Sequence, residues 1–147
     1  MPGPRDLERF QQQLDELFQD LWHVPRFAGL RRGFRPQVDS YRRGEPAELR
    51  VVVELPGVDP ADVRIAIEGR DLLIAGVRRR PEADCRVSYH QLEIEYGPFQ
   101  RRIALTEDVD SEAATAIYER GMLSIVLPIA PAAPAPEKVS IPVNART

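Results

Sequence analysis

The chain has 147 residues and a formal net charge of −3, with 43% hydrophobic and 29% charged residues. That length suits one domain with appendages, and no apolar run approaches the roughly 18 residues that a membrane-spanning helix needs. The mild negative balance gives no overall pull toward nucleic acid or anionic lipid, and a lone cysteine, Cys85, rules out an intrachain disulfide or a cysteine zinc site.

Residues 1–36 read as an arm. After Pro2, Gly3 and Pro4, the residues Leu7, Phe10, Leu14, Leu17, Phe18 and Leu21 recur at spacings of three and four, giving one apolar stripe on a helix with Asp6 and Glu8 near its positive end. From Trp22 the pattern dissolves, because Pro25, Gly29, Gly33 and Pro36 prevent a long element while Phe27 and Phe34 stay apolar. Such a stripe either serves other chains or packs on its own domain. The opening residues lack the apolar stretch of a secretion signal, so a cytoplasmic location is expected.

Residues 37–130 read as short strands. "ELRVVVELPGV" is a β-branched run stopped by Pro56-Gly57; "DVRIAIEGRDLLIAGVRRR" supplies Val63, Ile65 and Ile67, a turn at Gly69-Arg70-Asp71, then Leu72, Ile74 and Gly76, and these runs are expected to form a hairpin. "VSYHQLEIEYGPFQRRIAL" alternates twice, with Leu92 and Ile94 before the break at Gly97-Pro98 and Phe99, Arg101, Ile103 and Leu105 after it. "ATAIYERGMLSIVLP" predicts another strand, a turn at Arg120-Gly121, and a strand carrying Leu123, Ile125 and Leu127. Turn signals at this spacing, with one helical turn at most near "DVDSEAA", predict an all-β antiparallel sandwich of immunoglobulin-like type.

Residues 131–147 form a tail. The alanines and prolines of "PIAPAAPAPEK" resist collapse, and at about 3.1 Å per residue they would carry Ile141 roughly 30 Å from the last strand. The tail then presents Ile141-Pro142-Val143, branched apolar residues that need a pocket supplied from elsewhere. The reach favours another subunit over the tail's own anchor point.

In this order and spacing the residues resemble the small heat-shock proteins. "VVVELPGVDPADVRIAIEGRDLLIAGVRRR" is similar to the first half of their α-crystallin domain; Gly97, Phe99 and Arg101, then Val109-Asp110, then Ala116, Tyr118, Gly121 and Leu123, and finally Leu127-Pro128 are similar to the second. Ile141-Pro142-Val143 matches the family's tail tripeptide. Thr106 and Ile94 depart from the pattern, the latter where an arginine commonly follows the glutamate. The resemblance implies an ATP-independent holdase, assembled from dimers into larger homo-oligomers, that binds partly unfolded clients and passes them to ATP-dependent chaperones. It implies a groove between Val63, Ile65 and Ile67 on one strand and Ala114, Ala116 and Tyr118 on another, filled by a neighbour's Ile141, Pro142 and Val143. It further implies that "RVSYHQL", with Val87 and Tyr89, adds a strand beside Gln37, Val38 and Tyr41 of a partner, unless this stretch is simply a long internal loop. Clients would bind the arm through Leu7, Phe10, Leu14, Leu17, Phe18, Trp22, Phe27 and Phe34.

Sharper chemistries find less support. Glu93 and Glu95 share one side of a strand as a glycosidase pair could, yet neighbouring exposed carboxylates are common and no cleft is indicated. His23 and His90 lack metal-ligand spacing, none of the serines sits in Gly-x-Ser-x-Gly, and no phosphate loop occurs. No catalysis, cofactor or metal is therefore expected. The arginine clusters at 31–32, 78–80 and 101–102 lack interleaved aromatics of a nucleic-acid module and are offset by acidic segments, so neither nucleic acid nor membrane is an expected partner. The rival reading is a non-catalytic β-sandwich co-chaperone or adaptor.

Overall fold

The computed structural model describes residues 34–82, 86–130 and 138–146. The arm residues Leu7, Phe10, Leu14, Leu17, Phe18, Trp22 and Phe27 lie outside the described residues, as do Cys85 and the linker 131–137.

The described residues form two packed sheets. The strands are β1 (Val38–Arg43), β2 (Glu48–Glu54), β3 (Val63–Glu68), β4 (Asp71–Arg78), β5 (Gly97–Ala104), β6 (Thr115–Glu119), β7 (Met122–Pro128), β8 (Val139–Ile141) and β9 (Val143–Ala145). One sheet has the order β1-β2-β7-β6-β9 and the other β5-β4-β3-β8. Period-two alternation explains why they stack: Leu49, Val51 and Val53 of β2 and Leu123, Ile125 and Leu127 of β7 point inward, where they meet Val63, Ile65, Ile67, Leu72, Ile74 and Phe99 of the opposite sheet. Short 3-10 turns at Pro60–Asp62 and Ser111–Ala113 carry the chain into β3 and β6, and Asp59 and Asp110 cap them through their side chains. The second is the helical turn expected from "DVDSEAA".

Two positions show how turns and close packing fix the register. The β6–β7 hairpin turns through Arg120 (φ 52°) and Gly121 (φ 77°), a pair of left-handed residues that suits a tight hairpin. Gly76 lies where β4 passes beneath the ring of Phe99: a Cβ there would stand 2.4 Å from the Asp62 carbonyl oxygen and 2.7 Å from Phe99 Cζ. Glycine is thus required by space rather than by backbone angle.

The structure differs from the sequence expectation at three places. No strand forms at Leu92 and Ile94; residues 86–96 are irregular, and Leu92 and Ile94 are 60% and 64% exposed. Alternation alone does not make a strand without a hydrogen-bonded neighbour, and residues 86–96 pair with no strand among the described residues. Phe34, read as part of the arm, packs edge-on against Phe99 with ring centroids 5.8 Å apart, and Pro36 beside it is buried. The tail, expected to reach outward, lies on the edges of its own sandwich, where β9 runs parallel to β6 and is the exception in an otherwise antiparallel set of pairings.

Candidate protein-binding groove

A sandwich of two open sheets leaves a seam where its edge strands diverge, and here that seam lies between β3 and β6. Val63, Ile65 and Ile67 wall one side and are buried; Ala116, also buried, walls the other with the half-buried Ala114 and Tyr118. Tyr118 is fixed by its hydroxyl, which donates to the Leu55 carbonyl oxygen at 2.7 Å, so its ring cannot swing out of the seam without abandoning that bond.

The occupant is the chain's own tail. β8 pairs antiparallel with β3 (Ile65 opposite Ile141, Ala66 opposite Ser140, Ile67 opposite Val139), and β9 pairs parallel with β6 (Ala116 opposite Val143, Ile117 opposite Asn144, Tyr118 opposite Ala145). The Arg146 amide closes the second ladder by donating to the Tyr118 carbonyl oxygen at 2.9 Å. The seven residues 139–145 therefore bridge both sheets, with exposed Pro142 at the crossing. Proline suits that position because it has no amide hydrogen to satisfy while the backbone leaves one sheet for the other. Ile141 is only 4% exposed and joins the core; Val143 packs against it, half-buried. Full burial of such side chains is worth about 1.5–3 kcal/mol each.

Of the tripeptide, Ile141 thus lies opposite Ile65 and Val143 opposite Ala116, whereas Ile67 and Tyr118 face Val139 and Ala145 on either side of it. Val63 and Ala114 lie on the same walls just beyond the paired stretch. The pairing also takes in Val139, Asn144 and Ala145, which the sequence reading passed over. Val139 could have been found, since it alternates with Ile141 in period two.

At the opposite side of the first sheet, β1 pairs with β2, with Val38 opposite Val53 and Tyr41 opposite Arg50, and among the described residues its outer edge has no strand neighbour. Gln37 accepts the Glu54 amide at 3.0 Å through its carbonyl oxygen. Tyr41 is exposed, as are Val87 and Tyr89 on the loop. The groove and this edge are not brought together.

Charge is arranged around these edges rather than inside them. Arg70 at the β3–β4 turn donates to Asp108 at 2.8 Å, and that contact lowers the carboxyl pKa of Asp108 and raises that of the Arg70 guanidinium. Arg79 pairs with Asp62 at 2.9 Å and Arg102 with Asp71 at 2.5 Å. Arg101 donates to the Pro36 carbonyl oxygen at 2.7 Å, and burial, with Arg35 nearby, pulls its pKa down. Arg78 is the buried charge among the described residues: it donates to the carbonyl oxygens of Glu95 and Pro56 and stacks on Phe34. The sequence offered no sign to tell it from its two arginine neighbours. No cluster of metal-ligating side chains occurs among the described residues.

Comparison with known proteins places this geometry. Residues 42–144 match the model of the Hsp20/alpha crystallin family. The chain is 30% identical over 114 residues to small heat shock protein C2 of Rickettsia felis, an alignment covering 78% of this chain and 73% of that one. It is 40% identical over 96 residues to the 19.0 kDa class II heat shock protein of Oryza sativa, covering 61% of this chain but only 54% of the rice protein. Among solved structures, a small heat-shock protein from Xylella fastidiosa, described as having a distinct high order structure, superposes with a TM-score of 0.57 at 33% identity, over 71% of this chain and 93% of that one.

Proposed function

The chain belongs to the Hsp20/alpha crystallin family, which supports a chaperone role, and from that premise we propose that it is an ATP-independent holdase whose weakly held tail and exposed loop govern assembly and client capture. The observation that carries this reading is the way the groove is filled: an apolar seam in the core is closed by a few residues on a separate segment.

The energetics favour exchange. Two branched side chains contribute a few kcal/mol, and after the cost of ordering the tail the net corresponds to a dissociation constant near a millimolar. A short linker supplies an effective concentration of about the same size, so the tail binds its own groove without being locked there. A neighbour's groove competes on nearly equal terms, and many such contacts in one assembly hold together while each opens singly. An emptied groove, and the arm residues from Leu7 to Phe27, would then offer apolar surface to unfolding proteins. In this reading the loop residues Val87 and Tyr89 add to a partner's β1 beside Gln37, Val38 and Tyr41, forming the dimer from which larger homo-oligomers grow. The domain organisation is an arm, the sandwich and the tail, acting in the cytoplasm, with clients passed on to ATP-dependent chaperones.

The test is suppression of heat-induced turbidity of a thermolabile client without nucleotide, comparing the wild type with the Ile141→Ala/Val143→Ala variant. The wild type is expected to suppress turbidity at equimolar amounts, and the variant to form smaller particles by light scattering. No protection by the wild type would sink the holdase reading. A self-filled groove also suits a stand-alone adaptor, the second reading; a constant monomer or lone dimer across concentrations would favour it.

A further inference from the structure

The end of β4 carries an alternating stack of arginines and rings that neither the groove nor the tail uses. Phe34 lies edge-on to Phe99, and the Arg78 guanidinium sits 3.7 Å above the Phe34 ring centroid. Arg78 also faces Tyr96 at 5.4 Å; Arg80, two residues on, faces Tyr96 at 4.6 Å and Tyr89 at 5.3 Å. Arg79 between them turns the other way, to Asp62. The order in space is therefore Phe34, Arg78, Tyr96, Arg80, Tyr89, running from the core out to the irregular loop.

The two ends of this stack differ in strength for a physical reason. Attraction between a cation and a ring face grows as water is excluded. At the inner end Arg78 is buried and donates from Nε to the Glu95 carbonyl oxygen at 2.7 Å, from Nη2 to the same oxygen, and from Nη1 to the Pro56 carbonyl oxygen at 3.4 Å. Releasing it would leave those carbonyls and a buried charge unpaired, so the base of the loop at Glu95 and Tyr96 stays fixed. At the outer end Arg80 is exposed and Tyr89 is 50% exposed. Beyond that contact Val87, Leu92 and Ile94 face water and take part in no strand. The outer rung can open while the inner one holds.

We propose that Arg80 and Tyr89 form a releasable latch that parks the loop 86–94 on its own domain, and that opening it frees the loop for a second copy of this chain. This rests on the reading that the loop adds a strand at a partner's β1. The latch opposes that exchange and slows it, and Arg78 with Tyr96 is the hinge on which the freed loop turns.

The experiment uses the full chain as wild type, Arg80→Gln and Arg80→Lys. Amide hydrogen exchange of residues 86–94 is measured in dilute protein, and the formation of mixed dimers from nitrogen-15-labelled and unlabelled pools is followed by native mass spectrometry. Loss of the exposed Arg80 guanidinium from the Tyr89 and Tyr96 rings predicts loop exchange and mixing each faster by about 2- to 5-fold in Arg80→Gln, with Arg80→Lys between it and the wild type and the β4 amides unchanged. Equal loop exchange in Arg80→Gln and wild type overturns the latch. Faster loop exchange with unchanged mixing overturns its control over pairing while leaving the dimer reading intact. Faster loop exchange with no mixed species in any variant overturns the dimer reading, and the release step falls with it.

Discussion

The two open margins of this sandwich are handled in opposite ways. Between β3 and β6 the chain closes the seam with its own tail, so that Ile141 joins the core. At β1, and along the loop 86–96, backbone edges and apolar side chains are left exposed, with Ile94 at 64%. An unpaired strand edge is a template for another chain, and proteins normally cover or charge it. Here one margin is covered by the chain's own tail and the other carries Arg42 and Arg43 beside exposed Tyr41. The difference teaches how one sandwich treats its margins: apolar surface is buried under a short tail at the first and left in plain view at the second.

Mutations separate the margins by size of effect. Truncating Ile141→Ala removes the tail's main anchor and should cut occupancy of the chain's own groove by about 10-fold, read as lost hydrogen-exchange protection of the β8 and β9 amides, whereas Leu92→Ala on the loop should change that protection by less than about 2-fold. Equal losses at the two sites would erase the contrast. A smaller effect of opposite sign is expected at the β6–β7 turn, where Arg120 holds φ at 52°. Arg120→Gly should relieve that strain and stabilise the groove wall by about 0.5–1 kcal/mol, read as a rise in melting temperature. The smallest effect is electrostatic. Because Arg70 lowers the pKa of Asp108 in the folded chain, the pair stabilises the β3–β4 turn above the ordinary aspartate pKa near 4, and that contribution disappears as pH falls through the lower folded value. Leu105, whose amide donates to the Arg70 carbonyl oxygen at 2.7 Å, reports it: Asp108→Asn should flatten the acid-induced loss of its protection relative to the intrinsic exchange rate, and an identical loss in both proteins would remove the pair from the account.

Much of the sandwich was legible in the residues because burial on one face imposes period two. The inward sets of β2, β3, β4, β5 and β7 and the turns at Gly69 and Gly121 follow directly from that alternation and from turn chemistry. The same rule failed at Leu92 and Ile94, which alternate but pair with no strand among the described residues. The three arginines 78–80 read as one basic cluster, yet one is buried among carbonyls and rings, one pairs with Asp62 and one lies on tyrosines. Nothing local distinguishes them, since their surroundings come from segments distant in the chain.

By itself the sequence determined a sandwich of short strands and a tail whose isoleucine and valine need a pocket, because periodicity and hydrophobicity are written locally. Only the tertiary structure decided that the tail splits across Pro142, antiparallel on one sheet and parallel on the other, and that it lies on its own chain's edges. Edge pairing compares the free energies of remote partners, and no local pattern records that comparison.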